Sequence, residues 1–183
     1  MRGHPMQDGN VSMEPIEKET AVELFPEWIK DPDVRRFLGT FHYIPDADQE
    51  AEWYENVVKE KACYVWQIEH FKQVVGISSI THIDFINGWG VTGTIIGEKA
   101  VWGQGVGTKT MILRARFAFE ELGLYGLDSF AFTENKGSVK ALRKCGYVEV
   151  GVTPGRYYRM GRRWDIVSLY LTCDRFRTLY SEE

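Results

Sequence analysis

Trp102-Gly103-Gln104-Gly105-Val106-Gly107-Thr108 joins an apolar extended run, Thr94-Ile95-Ile96, to a long stretch of helical periodicity that begins near Val106. A glycine-rich turn therefore stands at a helix N-terminus, where the first backbone N–H groups lack intrahelical partners and the peptide dipoles leave partial positive charge. Such a turn suits a phosphate or pyrophosphate. The loop reads G-x-G-x-G, with Lys109 two residues past Gly107, so it matches neither the dinucleotide fingerprint nor the P-loop pattern.

Working outward, Ile112, Ala115, Phe119 and Leu122 recur at helical spacing between residues 106 and 122, and Gly123 supplies the stop. Downstream, the pattern predicts a strand over 127–132, a short helix over 136–144 closed by Gly146, and strands over 147–152 and 166–171. Upstream, strands are expected over 11–15, 62–69, 74–84 and 91–96, with a hairpin at His70-Phe71-Lys72-Gln73 and a second turn at Asn87-Gly88. Helices are expected over 21–29, from Asp31-Pro32-Asp33 toward Leu38, and from about 48 to 60. This order describes an α+β (mixed α/β) fold. Residues 11–183 read as one domain and the polar residues 1–10 as a flexible tail.

Composition excludes several classes. No apolar run approaches the roughly 18 residues of a membrane helix, and a net charge of -4 gives no general reason to expect a nucleic-acid partner. The polar start lacks the apolar centre of a signal peptide. Cys63, Cys145 and Cys173 are odd in number, far apart and without a C-x-x-C pair, so neither a disulfide framework nor a metal site is expected, and a cytoplasmic location fits.

Three segments then act together. Ile95-Ile96-Gly97 through Thr108, Asn135-Lys136-Gly137-Ser138 and Lys144-Cys145-Gly146-Tyr147 occur in order, each in its expected structural context, and together resemble the GNAT superfamily of acyl-CoA-dependent N-acetyltransferases. The ribosomal-protein N-terminal and polyamine branches look nearest. The resemblance implies a twisted, mostly antiparallel sheet of six to seven strands, flanked by helices and splayed at the acyl-CoA site. It also implies acetyl-CoA as cosubstrate, no metal, and an amine-bearing acceptor, small molecule or peptide; a homodimer is common in similar proteins.

By that resemblance the loop amides of Trp102, Gly103, Gln104, Gly105, Val106, Gly107 and Thr108 hold the pyrophosphate, while Thr94, Ile95 and Ile96 offer backbone to the pantetheine arm. Asn135 and Lys144 are further contacts, Asn135 serving equally as a helix cap. The Ile96 N–H is a candidate for polarising the thioester carbonyl, and Ser138 for supplying a proton to the thiolate. The sequence departs from the family pattern twice: Leu142 stands where many members have a tyrosine acid, and Val91 where a glutamate is frequent. Asp84, with His82 and Glu98, is the remaining candidate for a base. The acceptor pocket draws on Trp28, Phe37, Trp53 and Tyr54 early in the chain, and on Arg156, Tyr157, Tyr158, Trp164 and Asp165 late. Arg156, Arg159, Arg162 and Arg163 form a basic segment that reads either as solvated or as suited to a carboxylate-bearing acceptor. Direct amine attack in a ternary complex is the expected chemistry, and a non-catalytic CoA-binding domain of the same fold is the alternative.

Overall fold

A computed structural model describes residues 3–39 and 44–180. Eight strands form one sheet in the order β1-β2-β3-β4-β5-β6-β8-β7: β1 (Met6–Asp8), β2 (Val11–Pro15), β3 (Tyr64–His70), β4 (Gln73–Asp84), β5 (Trp89–Ile96), β6 (Gly126–Phe132), β7 (Val148–Arg159) and β8 (Arg162–Thr172). Every neighbouring pair is antiparallel except β5 with β6. The helices are α1 (Phe25–Lys30), α2 (Pro32–Arg35), α3 (Ala47–Lys59), α4 (Val106–Arg116), α5 (Lys136–Cys145) and α6 (Cys173–Tyr180). The mixed, mostly antiparallel class is as expected. The strand count is eight rather than six to seven.

The additional strand comes from residues that composition marks as a tail. β1 pairs with β2, Trp66 Nε1 donates to His4 O at 3.2 Å, and Lys109 Nζ on α4 lies 3.6 Å from Asp8 Oδ1. Polar residues can form such an edge strand because one of its sides needs no burial. Lys109 is thus tied to β1. Two further surprises are α6, whose Phe176 seals the core against Phe119, and the length of the β7–β8 hairpin.

Local chemistry explains the boundaries. Asp46 and Gln49 form a reciprocal capping box on α3, Asp31 caps α2 ahead of Pro32, and Asn135 Oδ1 accepts from Ser138 N at the head of α5. Gly146, at φ 106, ends α5 in a conformation that a side chain would strain. The β3–β4 turn needs only Phe71 and Lys72, both at positive φ, which matches the twist of the paired strands. The long helix expected over 106–122 is α-helical to Arg116 and then widens into a π turn over Phe117–Glu121. That widening places Phe117 against Tyr64 and Trp66, in the main core that α4, α5 and α6 share with the sheet.

Gly76 shows how closely β4 and β5 approach. A Cβ there would lie 2.2 Å from the backbone oxygen of Ile95, which cannot swing aside as a side chain can. Gly76→Ala is expected to destabilise the protein by about 1–3 kcal/mol, measured as a lowered urea midpoint with unchanged slope. A wild-type midpoint would show that the two strands separate freely.

Candidate active site

β5 stays paired to β4 along its length, but to β6 only from Trp89↔Gly126 to Thr92↔Ser129. Beyond that point β6 continues against β8 as far as Phe132↔Ile166. The two strands part at Gly93 and Phe130, opening a wedge in the sheet.

Hydrogen-bond parity decides what the wedge offers. Gly97 N donates to Val75 O at 2.9 Å, and Gly126 N donates to Gly88 O at 3.0 Å. Odd-numbered residues of β5 therefore turn their backbone groups to β4, and even-numbered ones toward β6. Past the split, Thr94 and Ile96 keep that direction with no strand opposite. Their N–H groups and the Thr94 carbonyl thus face the opening, whereas Ile95, expected as a third partner, is paired with Ile77. The Ile96 carbonyl instead accepts from Trp102 Nε1 at 2.9 Å, which draws the glycine loop against the end of β5.

The wedge continues into a cleft of about 1170 Å³. Thr94, Ile95, Ile96, Trp102, Gly103, Gly105, Val106, Gly107, Thr108, Asn135, Ser138, Lys144 and Arg156 all line it, so most of the expected cofactor residues converge. Gly103 and Gly105 have φ of 78° and 85°, and a Cβ on either would meet nothing within 4 Å. The backbone is thus exposed beside the α4 N-terminus, with room for a ligand to approach it. Gln104 is the exception in the loop: its side chain donates back to Ala100 O at 2.8 Å.

Other expected residues are elsewhere. Asp84 lies at the far end of β4, paired across from Trp89, and accepts from Ile86 N, Asn87 N and Asn87 Nδ2. The Asn87 contacts hold its carboxyl below the usual range; it shapes a turn roughly 20 Å of strand away from Ile96. His82 sits at positive φ in a bulge of β4, so it does not share a regular strand face with Asp84. Trp28 stacks on Gly97, Tyr54 is buried beside Ile16 and Val65, Trp53 is exposed outside the cleft, and Asp165 accepts from Gly155 N at 2.7 Å within the β7–β8 hairpin. Helical spacing correctly marked Tyr54 as inward-facing, but inward proved to mean the core. Leu142 is 1% exposed, in the core.

The acceptor side is built instead from Phe37 after α2 and from Phe130, Phe132 and Tyr157. Phe130 and Phe132 read as ordinary strand residues, and only the departure of β5 uncovers them. The basic segment is mostly engaged. Arg159 is buried, stacks 4.3 Å from the Phe132 ring and donates to the carbonyls of Arg36 and Leu38, tying α2 to the hairpin. Arg162 lies over Trp164 and pairs with Glu134, and Arg163 donates to Gly155 O. Burial opposes ionisation of Glu134, but its backbone bond and the Arg162 and Thr133 contacts outweigh it and hold the carboxyl below its ordinary range. Asp33, the second carboxylate in the cleft wall, is paired with Lys99 at 3.1 Å.

This wedge, opening on a glycine loop and helix N-terminus, has a counterpart among known proteins. The acetyltransferase (GNAT) domain family matches residues 10–148. The chain belongs to that family. Over 69 residues it is 36% identical to YwnH of Bacillus subtilis (strain 168), named as a candidate phosphinothricin acetyltransferase; the match covers 38% of this chain and 42% of that relative. Among solved structures, the Vibrio cholerae spermidine N-acetyltransferase in complex with CoA and spermine aligns with a TM-score of 0.84 at 17% identity, covering 92% of this chain and 99% of that one. The microcin C7 self immunity acetyltransferase MccE, in complex with acetyl-CoA and AMP, aligns at 0.77 with 15% identity and coverages of 90% and 93%. An acetyltransferase from T. thermophilus aligns at 0.79 with 24% identity and coverages of 97% and 93%.

None of the three cysteines of this GNAT domain is available as a nucleophile, since all are buried, and burial pushes Cys145 up to about 12. In the unfolded chain the same thiol ionises near its ordinary value of 9.0, so its contribution to stability is complete below pH 9 and is lost as pH rises toward 12. Native protein at pH 8 should react with a thiol reagent far more slowly than urea-unfolded protein, and the melting temperature should fall between pH 9 and 11. Rapid native labelling would show that the core opens at this site.

Proposed function

We propose that the protein transfers an acetyl group from acetyl-CoA to a primary amine by direct attack within a ternary complex. The observation that carries this reading is the unpaired ladder of Thr94 and Ile96, leading from the open glycine loop to the point where β5 and β6 rejoin. Acetyl-CoA supplies the activated thioester. The Gly103–Thr108 backbone and the α4 N-terminus bind its phosphates, with Lys144 adding positive charge. Thr94 and Ile96 align the pantetheine arm as an extra strand. Asn135 has its Oδ1 committed to the α5 cap, which leaves its Nδ2 as a donor to that arm. Ser138, in the first turn of α5 and on the cleft wall, supplies the proton to the departing sulfur.

Asp84 is remote, and both carboxylates of the cleft wall are held in ion pairs, so the proton released by the attacking amine passes to water. A polycation would find no carboxylate there outside an ion pair. Arg156 and the aromatic wall of Phe37, Phe132 and Tyr157 fit an amine that carries an anionic group beside an apolar body, such as an amino acid or a peptide end. The buried Leu142 favours one other reading, a CoA-binding domain without transfer activity. It predicts tight CoA binding with no thiol release in the presence of any amine.

Gly107 gives a clean test, because its φ is not strained and a Cβ would make only a 3.8 Å contact with Ile96. Gly107→Val should leave the melting temperature unchanged and raise the dissociation constant for acetyl-CoA about tenfold or more, one charge-assisted hydrogen bond being worth ~1.5–3 kcal/mol. Unchanged calorimetric binding places the cofactor elsewhere. Ser138→Ala should lower kcat by at least about 100-fold with little change in acetyl-CoA affinity. Mass spectrometry with a panel of amines should show a gain of one acetyl group on amino acids or peptides in preference to spermidine; the reverse order would overturn the acceptor assignment.

A further inference from the structure

Arg114 on α4 is fully buried, and among the described residues it forms no ion pair with a carboxylate. Its Nη1 donates to Thr94 Oγ1 at 2.6 Å, to Gly93 O at 2.5 Å and to Ser78 Oγ at 2.9 Å, while its Nε has no hydrogen-bond partner. A buried, unneutralised guanidinium is unfavourable wherever packing alone is at stake, since an apolar side chain of similar volume fills the same space without the desolvation penalty. The nearby ionisable groups do not offset it. Cys145 and Tyr147 both lie in its field, and burial keeps both protonated.

The position of the charge is specific. The last β5–β6 pair is Thr92↔Ser129, so an arm laid along β5 from the glycine loop ends at Gly93 and Thr94, where the wedge closes. Thr94 is the first residue beyond the apex whose backbone faces the opening, and its side chain lies on Arg114. A guanidinium has only donors, so the Thr94 oxygen must accept from it. The hydroxyl proton then points elsewhere. Ser78 Oγ is a poor taker at 3.5 Å, and the other direction is the cleft that Thr94 lines.

We propose that Thr94 is a catalytic hydroxyl, polarised from behind by Arg114, that hydrogen-bonds the acyl carbonyl oxygen as that oxygen gains negative charge. This inference rests on the acetyl-CoA assignment of the cleft. When the amine attacks, its lone pair forms the C–N bond and the carbonyl π pair moves onto oxygen. That pair then returns, the C–S bond breaks, and the sulfur leaves with its electrons and takes a proton as the nitrogen loses one to water. Thr94 keeps its proton throughout. Its O–H, the adjacent Thr94 N–H and the buried cation form a fixed set of dipoles and charge at the one point where an oxyanion develops. Arg114 touches no substrate and acts as the positioning residue.

Isotope-edited infrared spectroscopy of [1-13C]acetyl-CoA bound to the full-length protein tests this without any knowledge of the acceptor. The carbonyl band should move to lower frequency on binding to wild type, lose part of that shift in the isosteric Thr94→Val, and keep it in Thr94→Ser, with calorimetric affinity for acetyl-CoA little changed in all three. With the best amine from the panel, Thr94→Val should lower kcat about 100-fold while the acetyl-CoA KM holds, and Thr94→Ser should restore most of it. Arg114→Met, used only if its melting curve is cooperative, should combine less than additively with Thr94→Val. A full band shift or wild-type kcat in Thr94→Val overturns the role of Thr94, and strict additivity removes Arg114 from it. If wild type itself fails to bind acetyl-CoA, the assignment of the cleft fails and this inference falls with it.

Discussion

The separation of β5 from β6 after Thr92 and Ser129 is the constraint on which the rest depends. A strand interior with unpaired N–H and C=O groups is unfavourable unless water or a ligand takes them. Here the same parting of strands leaves Thr94 and Ile96 facing an opening, uncovers Phe130 and Phe132, and sets the glycine loop at the mouth of the gap. Binding groups, acceptor wall and phosphate cradle are therefore consequences of one topological event.

What keeps the wedge open is a set of contacts made from its sides. Trp102 takes the Ile96 carbonyl, Gly97 and Glu98 are tied to Val75, and Arg114 holds Gly93 and Thr94 from beneath. On the other lip, β6 follows β8 because Phe132, Trp164 and Ile166 share an aromatic cluster with Phe37. Arg159, stacked on Phe132 and donating to carbonyls at the end of α2, fixes that cluster to the early helices. The acceptor wall thus gains its rigidity from an arginine that sequence alone reads as solvated. Lys99 bridges Asp31 and Asp33 from the turn that precedes the glycine loop, joining the cofactor and acceptor sides.

Local chemistry was the legible part of the fold. Caps at Asp46 and Asn135, the stop at Gly146 and the helical spacing after Val106 all act within a few residues, and their elements are found where the pattern puts them. The errors share a physical cause. Trp28, Tyr54 and Asp165 have chemistry suited to an amine pocket, but whether an aromatic ring or carboxylate meets a ligand or its own fold depends on partners elsewhere in the chain: Gly97 for Trp28, Gly155 for Asp165. Asp84 fell to a turn three residues long. The edge strand β1 was hidden because its stability comes from β2 and Lys109, not from its own composition.

The sequence by itself determined the strand–glycine loop–helix unit, because glycine's freedom at positive φ and the unmade hydrogen bonds of a helix start are properties of the local chain. It also carried the ordered motifs from which the GNAT family is recognised. Only the tertiary structure decided which backbone groups of β5 remain unpaired, which aromatics line the cleft and that Arg114 is a buried cation beneath Thr94. Each of those depends on where a distant strand stops pairing, a quantity set by packing across the whole sheet and written at no single position in the chain.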